Sequence, residues 1–394
     1  MNDSDATSGH SGAFMWSSSY DGSTWAALDF STAERNPDDL LAIKTINKII
    51  YLMGEETTEL WYNSGTETNP FKPQTTIGVG IKAPHSAQVW NDRLVWLGTN
   101  KYGHARVYVA AGAQQKEVST ASLEQEWNSF SDLTDATAFI YEQDGHTFYE
   151  LTFPTGNHTY VYDLLEGKWH ERSSYNGGAG GKYLVNNSAF FNDLTTVGSS
   201  SDGKLYAYDT DVYQDNGVQI VRQRDTQSIA SPGYDKVRHR RVELEFAWGT
   251  GSADVSSTAT STVASALVDA TAPFVVGDVG KSIYNTTDNT STTIYAYVGT
   301  TQVTLTDDIM VSGEAYVLGV DPQVLLYWSD DQAATWKGPI YRNIGLSGNV
   351  YERIVINNVG SSRDRRYRIK ASDNAQYVLM GGYADLDVSD DSKG

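Results

Sequence analysis

The chain has 394 residues, which at ~150 residues per domain allows two or three domains or one large all-β domain. Apolar residues make up 40% and aromatics 12%, with 10 Trp and 25 Tyr, too apolar for a disordered chain. No apolar run approaches the ~18 residues of a membrane-spanning helix, the net charge of −20 argues against wrapping nucleic acid, and the absence of cysteine removes disulfides and thiolate metal sites.

The first residues, Met1 to Asp5, are acidic and polar, without the basic and apolar regions of a secretory signal. Ser19-Tyr20-Asp21-Gly22-Ser23-Thr24-Trp25 is one residue short of an Asp box, S-x-D-x-G-x-T-W. Acidic and aliphatic residues at helical spacing predict short helices over Asp39 to Lys44 and Ser119 to Trp127.

An internal repeat runs through the first half. Asn47 to Gly54 aligns with Asn91 to Gly98 at one offset of 44 residues, and Ala138 to Gly145 gives a third copy. Each copy is followed by a second strand-like run: Glu59 to Tyr62, Arg106 to Val109 and Thr147 to Leu151. Tyr160-Val161-Tyr162-Asp163 returns as Tyr206-Ala207-Tyr208-Asp209. A period of ~40 to 50 residues with several short strands per unit is that of a β-propeller blade, a four-stranded sheet plus its turns. The expected fold is all-β, a β-propeller with a small inserted β domain.

From about Gly251 to Asp321 the chain turns rich in Ser, Thr and Ala and loses its tryptophans. We expect residues 252–321 to form the inserted domain, with 1–251 and 322–394 as the propeller. The flanking runs Arg241 to Phe246 and Gln323 to Trp328 alternate like strands and are expected to pair as a hairpin, a site that tolerates insertion. The acidic end, Asp385 to Gly394, is expected to fray.

Candidate chemistry is sparse. Ser329-Asp330-Asp331-Gln332-Ala333-Ala334-Thr335-Trp336 is an Asp box with Ala333 in the glycine slot. Ser329, Asp331, Thr335 and Trp336 are read as structural: the carboxylate accepts backbone N–H bonds in a tight turn and the indole plugs the sheet beneath. Arginines gather at Arg222, Arg224, Arg238, Arg240 and Arg241 and again at Arg363, Arg365, Arg366 and Arg368. Their strand spacing is that of a solvated or subunit-facing stripe, so they are candidate interface residues.

The acidic doublets, such as Asp330-Asp331, place neighbouring carboxylates on opposite strand faces and make poor acid/base pairs. The seven histidines show no H-x-H or H-E-x-x-H spacing. Gly177 to Lys182 lacks the residues of a phosphate loop and is read as a flexible inter-blade loop. There is no G-x-S-x-G elbow. No metal, cofactor or catalytic residue is therefore assigned.

Several longer blocks resemble the packaged-DNA stabilisation or tail hub proteins of short-tailed bacteriophages. They are Ala27 to Glu34, Thr58 to Gly65, Gly145 to Pro154 running to Arg172, Gly203 to Tyr206, the Ser329 to Trp336 box and Gly360 to Arg365. Members of that family carry a long segment before the block at Phe30 and lack the 252–321 insertion.

The resemblance implies a non-enzymatic virion tail component, assembled in the host cytoplasm. It would form a homo-oligomeric ring, a hexamer by family, joining the head-to-tail adaptor to a distal needle, fibre or spike. Packaged DNA would be retained and then passed through the channel without specific binding or membrane insertion. The competing reading is a propeller glycosidase or carbohydrate-binding protein used in host attachment, which requires convergent arginines, a tyrosine nucleophile and acidic residues in a central depression.

Overall fold

The computed structural model describes residues 12–18, 21–33, 38–66, 69–99, 102–176, 179–231, 233–248, 254–271, 274–288, 290–319, 322–345 and 350–388. The chain divides into two compact units, Met1–Asp209 and Thr210–Gly394.

The first unit is a succession of antiparallel meanders. A two-stranded ribbon, Ala13–Met15 with Phe30–Thr32, comes first. Blade I contains Leu40–Ile46, Ile49–Gly54, Thr58–Asn63 and Phe71–Ile77 in sequence order. Blade II runs from Gly80–Ile81 through Arg93–Thr99 and Arg106–Ala111 to Gln114–Glu117. Blade III comprises Thr137–Gln143, His146–Phe153, His158–Asp163, Lys168–Asn176 and Ala179–Lys182. Blade IV has three strands among the described residues, Val185–Phe191, Leu194–Ser199 and Leu205–Ala207. The repeat is thus structural: Tyr160 and Tyr206 both lie in the third strand of their sheets.

Alternation along each strand explains how these sheets stack, because successive side chains leave on opposite faces. On blade I, Tyr51, Met53 and Leu60 share a core with Leu94, Trp96 and Tyr108 of blade II. Their neighbours Leu52 and Trp61 pack against Phe14 of the ribbon. On blade II, Val95, Leu97 and Val107 meet Tyr149, Leu151 and Phe153 of blade III, with Trp127 at the same core. Phe139 and Tyr141 then leave blade III on its other face, toward Val185 and Val197 of blade IV. At one seam the backbones touch: a Cβ on Gly80 would lie 2.4 Å from the Glu55 carbonyl, so only glycine fits there.

Two local expectations are revised. Residues 39–44 are not helical: Leu40–Ile46 is the first strand of blade I, its aliphatics divided between two faces. Ala121–Trp127 is helical as expected, and it buries Trp127. Ala179–Lys182 is a fifth strand on blade III, paired with Lys168–Asn176, where a flexible loop was expected; Gly177 and Gly178 lie outside the described residues.

In the second unit, two sheets enclose one core. Arg222–Asp225, Asp364–Ala371, Gln323–Ser329 and Lys337–Asn343 form one, with Ile229–Ala230 also paired to Asp364–Ala371. Val350–Ser362, Val237–Trp248 and Leu379–Val388 form the other. Val242, Leu244, Phe246, Ile354 and Ile356 of one meet Val324, Leu326 and Tyr367 of the other, which is sandwich packing rather than a further single-sheet blade. The hairpin expected between 241–246 and 323–328 is not formed. Val237–Trp248 pairs with Val350–Ser362 and Leu379–Val388, while Gln323–Ser329 pairs with Lys337–Asn343 and Asp364–Ala371. Both runs are apolar on the inward face, so facing across a core satisfies them as well as pairing would.

Between these runs, strands from Val255–Thr258 to Ala315–Gly319 make a seven-stranded sheet with its own core of Leu267, Phe274, Ile283, Val303, Tyr316 and Leu318. Its first and last strands pair with each other, Val255 opposite Leu318. Asp385 to Val388 continue a strand where fraying was expected; residues 389–394 lie outside the described residues.

Candidate functional site

The Asp box forms the turn between Gln323–Ser329 and Lys337–Asn343. Asp331 accepts the Ser329 hydroxyl at 2.6 Å, the Thr335 amide at 2.9 Å and the Thr335 hydroxyl. The Ser329 hydroxyl also accepts the Ala333 amide at 2.9 Å. These bonds, led by that from Ser329, hold the Asp331 carboxyl near 2. Trp336 departs from expectation: it is half-buried, and the Arg368 guanidinium lies 3.9 Å from its ring centroid, a cation–π stack and not a plug. In the shorter box near the N-terminus, Ser19 and Tyr20 lie outside the described residues. Asp21 there accepts the Ser23 amide at 2.9 Å and the Ser23 hydroxyl at 2.6 Å.

The neighbouring Asp330 serves a different purpose. It takes Arg365 through two nitrogens at 2.6 and 3.1 Å and Lys337 at 2.8 Å. Burial raises its pKa, but these cationic partners outweigh that and lower it overall. Arg365 is 2% exposed and also donates to the Val359 carbonyl at 2.6 Å. Beside it, buried His239 contacts the Tyr367 hydroxyl at 2.7 Å and the Ser362 hydroxyl at 3.1 Å. Burial, reinforced by Arg365, pushes the imidazole down to about 4, so it is neutral at physiological pH. The two adjacent carboxylates divide the work: one shapes the turn and the other ties it to the sandwich core.

The arginines therefore do not form one stripe. Arg365 is a core residue and not a surface one, a correction that follows from its pairing with Asp330. Arg368 makes a bidentate pair with Asp225 at 2.8 and 2.6 Å, and Arg222 lies over the Tyr377 ring at 5.3 Å. Arg366 is half-buried, with its Nε enclosed and unbonded. Arg240 pairs with Asp387 at 2.6 Å, Arg241 with Glu243 at 2.7 Å, and Arg363 donates to the Tyr234 carbonyl at 2.9 Å. These three, with Arg224 and Arg238, are exposed. No convergent arginine set of the kind a sialidase chemistry requires is seen among the described residues.

A second polar cluster lies between blades III and IV. Glu150 is fully buried and accepts Arg172 at 3.0 Å through one oxygen, while its other oxygen has no hydrogen-bond partner. The Arg172 guanidinium lies 5.3 to 5.6 Å from the rings of Tyr141, Tyr183 and Tyr208. Burial pushes Glu150 up to about 7 against the opposing pull of Arg172. Sequence reasoning passed over this cluster. The available signal was a glutamate within the run His146–Phe153, whose other members are largely apolar or β-branched.

An open groove of about 560 Å³ beside the helix is lined by residues including Leu123, Glu126, Tyr160, Trp169 and Glu171. Glu171 is already paired with His158 at 2.8 Å.

Polar side chains in this molecule thus work mainly inside turns and between sheets, and the first unit is an all-β stack of blade-like meanders, the build of a β-propeller. The family model described as "Bacteriophage P22 Gp10, beta-propeller" matches residues 6–213, more than half of the chain. The chain belongs to this family of phage stabilisation proteins, which are structural virion components.

Among solved structures the chain is similar to an engineered GH43 glycoside hydrolase with endo-xylanase and exo-arabinofuranosidase activity, at 9% identity over 93% of this chain and 96% of that one, with a TM-score of 0.25. It is also similar to Trypanosoma rangeli sialidase, at 11% identity over 83% and 66% with a TM-score of 0.22. A third structure, titled a glycoside hydrolase, shows 10% identity over 87% and 83% and a TM-score of 0.19. Scores of this size carry no argument about the chain's chemistry. No curated protein matches.

Proposed function

We propose that this protein is a non-enzymatic component of a phage tail: a ring-forming hub that joins the head-to-tail adaptor to distal tail parts and retains packaged DNA until ejection. The observation that carries this reading is the family match over residues 6–213, which coincides with the meander stack. The inward use of the polar clusters supports a structural role. Arg365, Asp330, His239, Glu150 and Arg172 spend their charge and hydrogen bonds on packing. The exposed Arg224, Arg238, Arg240, Arg241 and Arg363 remain candidates for contacts with other subunits, where arginine pairs well with carboxylates.

The test is genetic and physical. Phage particles made without this protein, and complemented with it in trans, are assayed for nuclease-accessible DNA and for label at the tail vertex. Filled heads that leak DNA unless complemented, with label at the vertex, are expected. Stably filled particles lacking the protein would overturn the reading.

A further inference from the structure

Charge is unevenly distributed over this acidic chain. Four strands of one sandwich sheet, Arg222–Asp225, Gln323–Ser329, Lys337–Asn343 and Asp364–Ala371, hold eight lysines or arginines against two aspartates. These strands are strongly basic in a molecule whose net charge is −20.

Alternation sorts the cations between two faces. Tyr367 and Ile369 pack into the sandwich core, so Arg366, Arg368 and Lys370 line the outward face of their strand. Tyr327 lies opposite Arg368, and Leu325 lies opposite both Lys370 and Tyr341. Lys370 sits 5.7 Å from the Tyr327 ring and Arg368 3.9 Å from that of Trp336, so cations and aromatic rings interleave there. Tyr341 is 54% exposed. The ion pairs of this sheet run from Arg365 and Lys337 to Asp330 and from Arg368 to Asp225, and Asp364 accepts the Ser228 hydroxyl. Arg366 and Lys370 are left with no carboxylate partner among the described residues.

The first unit carries a surface of the opposite kind, at the apex of the hairpin made by Val185–Phe191 and Leu194–Ser199. Phe191 lies opposite Leu194 across the turn. Phe190 is 76% and Phe191 74% exposed, and Leu194 is exposed as well. Asp193 is the one charged residue from Val185 to Ser199, and it too is exposed. Asn192 and Asp193 have φ of 52° and 60°, the tight two-residue hairpin turn that fixes the shape of the apex.

We propose that these two surfaces meet between molecules: the blade IV hairpin apex of one copy of this chain docks on the outward face of the basic sheet of the next. Phe191 and Leu194 pack against Tyr327 and Tyr341, and Asp193 meets the uncompensated Lys370 and Arg366.

Three observations select a second copy as the occupant. The two surfaces are opposite in sign, and both offer the aromatic side chains that anchor protein interfaces. Copies of a chain of net charge −20 repel one another, and the basic sheet is where that repulsion turns into attraction. Apex and sheet face are different surfaces, so the contact is heterologous; such contacts run head to tail and close into rings when the rotation allows. The inference rests on the reading of the protein as a self-assembling virion component and names the surfaces that do the assembling.

The experiment uses the full chain with two single substitutions, Asp193→Lys at the apex and Lys370→Glu on the sheet, with circular dichroism to confirm that both fold. Asp193→Lys copies the equivalent turn of blade I, where Lys48 already has a φ of 67°. Mass is measured by sedimentation velocity across a wide concentration range. The wild type should form oligomers that weaken as salt rises from ~0.1 to ~0.5 M. Each variant alone should associate ~10-fold or more weakly, because like charges then face each other. Phe191→Ser should weaken association without the salt dependence changing.

The deciding arm is the mixture. The lysine apex of one variant fits the glutamate on the other's sheet, and the remaining apex and sheet are both wild type, so mixing should restore assembly. Variants that assemble like the wild type would overturn the surfaces while leaving self-assembly in place, and retention of such a protein on heparin would assign the sheet to another polyanion. A mixture that stays dissociated would overturn the pairing of apex with sheet. A monomeric wild type would overturn both this inference and the homo-oligomeric reading beneath it.

Discussion

Single residues carry more of this structure than the surface stripe expected from sequence would suggest. Arg365 is the clearest case, since its guanidinium neutralises Asp330 inside the sandwich. Arg365→Met should cost about 3–5 kcal/mol, because it strands a partly buried carboxylate without its main partner; chemical denaturation of the full chain measures it. Asp331→Ala should lower the melting temperature of the second unit by less, since the carboxylate it removes is exposed and only the turn loosens. His239 gives a pH signature. Its pKa of about 4 in the fold lies below the ordinary ~6.5, so between those values the unfolded chain binds a proton that the folded one refuses. This contribution to stability is complete above about 6.5 and is lost as pH falls toward 4. His239→Gln should flatten that acid limb in calorimetry of the second unit. None of these partners was legible in the sequence, because His239, Asp330 and the pair Ser362 and Arg365 come from three separate stretches of chain that only the sandwich brings together.

At the scale of elements, the mid-forties repeat was legible because strand alternation and turn residues are local properties, and each repeat became a sheet. The strand at Leu40–Ile46 was not, because its aliphatics fit a helical period as well as they fit two buried sheet faces. Gly80 marks where one sheet meets the next. Gly80→Ala should destabilise the first unit by about 1–3 kcal/mol, since the new methyl would collide with backbone that cannot move aside; thermal unfolding against the wild type checks it. The seven-stranded insert should be removable. The Asp254 amide donates to the Leu318 carbonyl at 2.8 Å, so its two ends are adjacent and a short Gly-Ser turn can span them. Replacing 254–319 in this way should leave the sandwich folded, with its near-ultraviolet circular dichroism retained. Insoluble protein would show that the insert and sandwich fold as one. That outcome turns on strand ends, and does not require the flanking strands to be a hairpin.

For the whole molecule, charge and pH act on the two units in opposite directions. Glu150 titrates at about 7 in the fold against ~4.3 when free, so the folded first unit binds this proton more readily than the unfolded chain does. Its burial penalty is present above about 7 and is relieved as pH falls toward 4.3, the reverse of His239. Mild acidification should therefore raise the first unit's calorimetric transition relative to that of Glu150→Gln while lowering the second unit's. The net charge of −20 leads to a separate expectation: the isolated protein should show no measurable duplex DNA binding at ~150 mM salt, and tight, salt-sensitive retention in a filter assay would refute it. Under the proposed hub role, a channel that gripped phosphates would slow the DNA it is proposed to release.

What the sequence determined by itself is whatever depends on neighbours along the chain: the all-β character, the repeat, the Asp-box turn at Ser329 to Trp336, and the change of texture near 252–321. The family followed from blocks of the same kind. The tertiary structure decided what depends on pairing across long separations. It placed Val237–Trp248 and Gln323–Ser329 in facing sheets instead of one hairpin, drew Arg365 inward, and enclosed Arg172 among three tyrosines. An alternating strand specifies that one face must be covered but not by what, and that choice is made only when all the strands compete for the same partners.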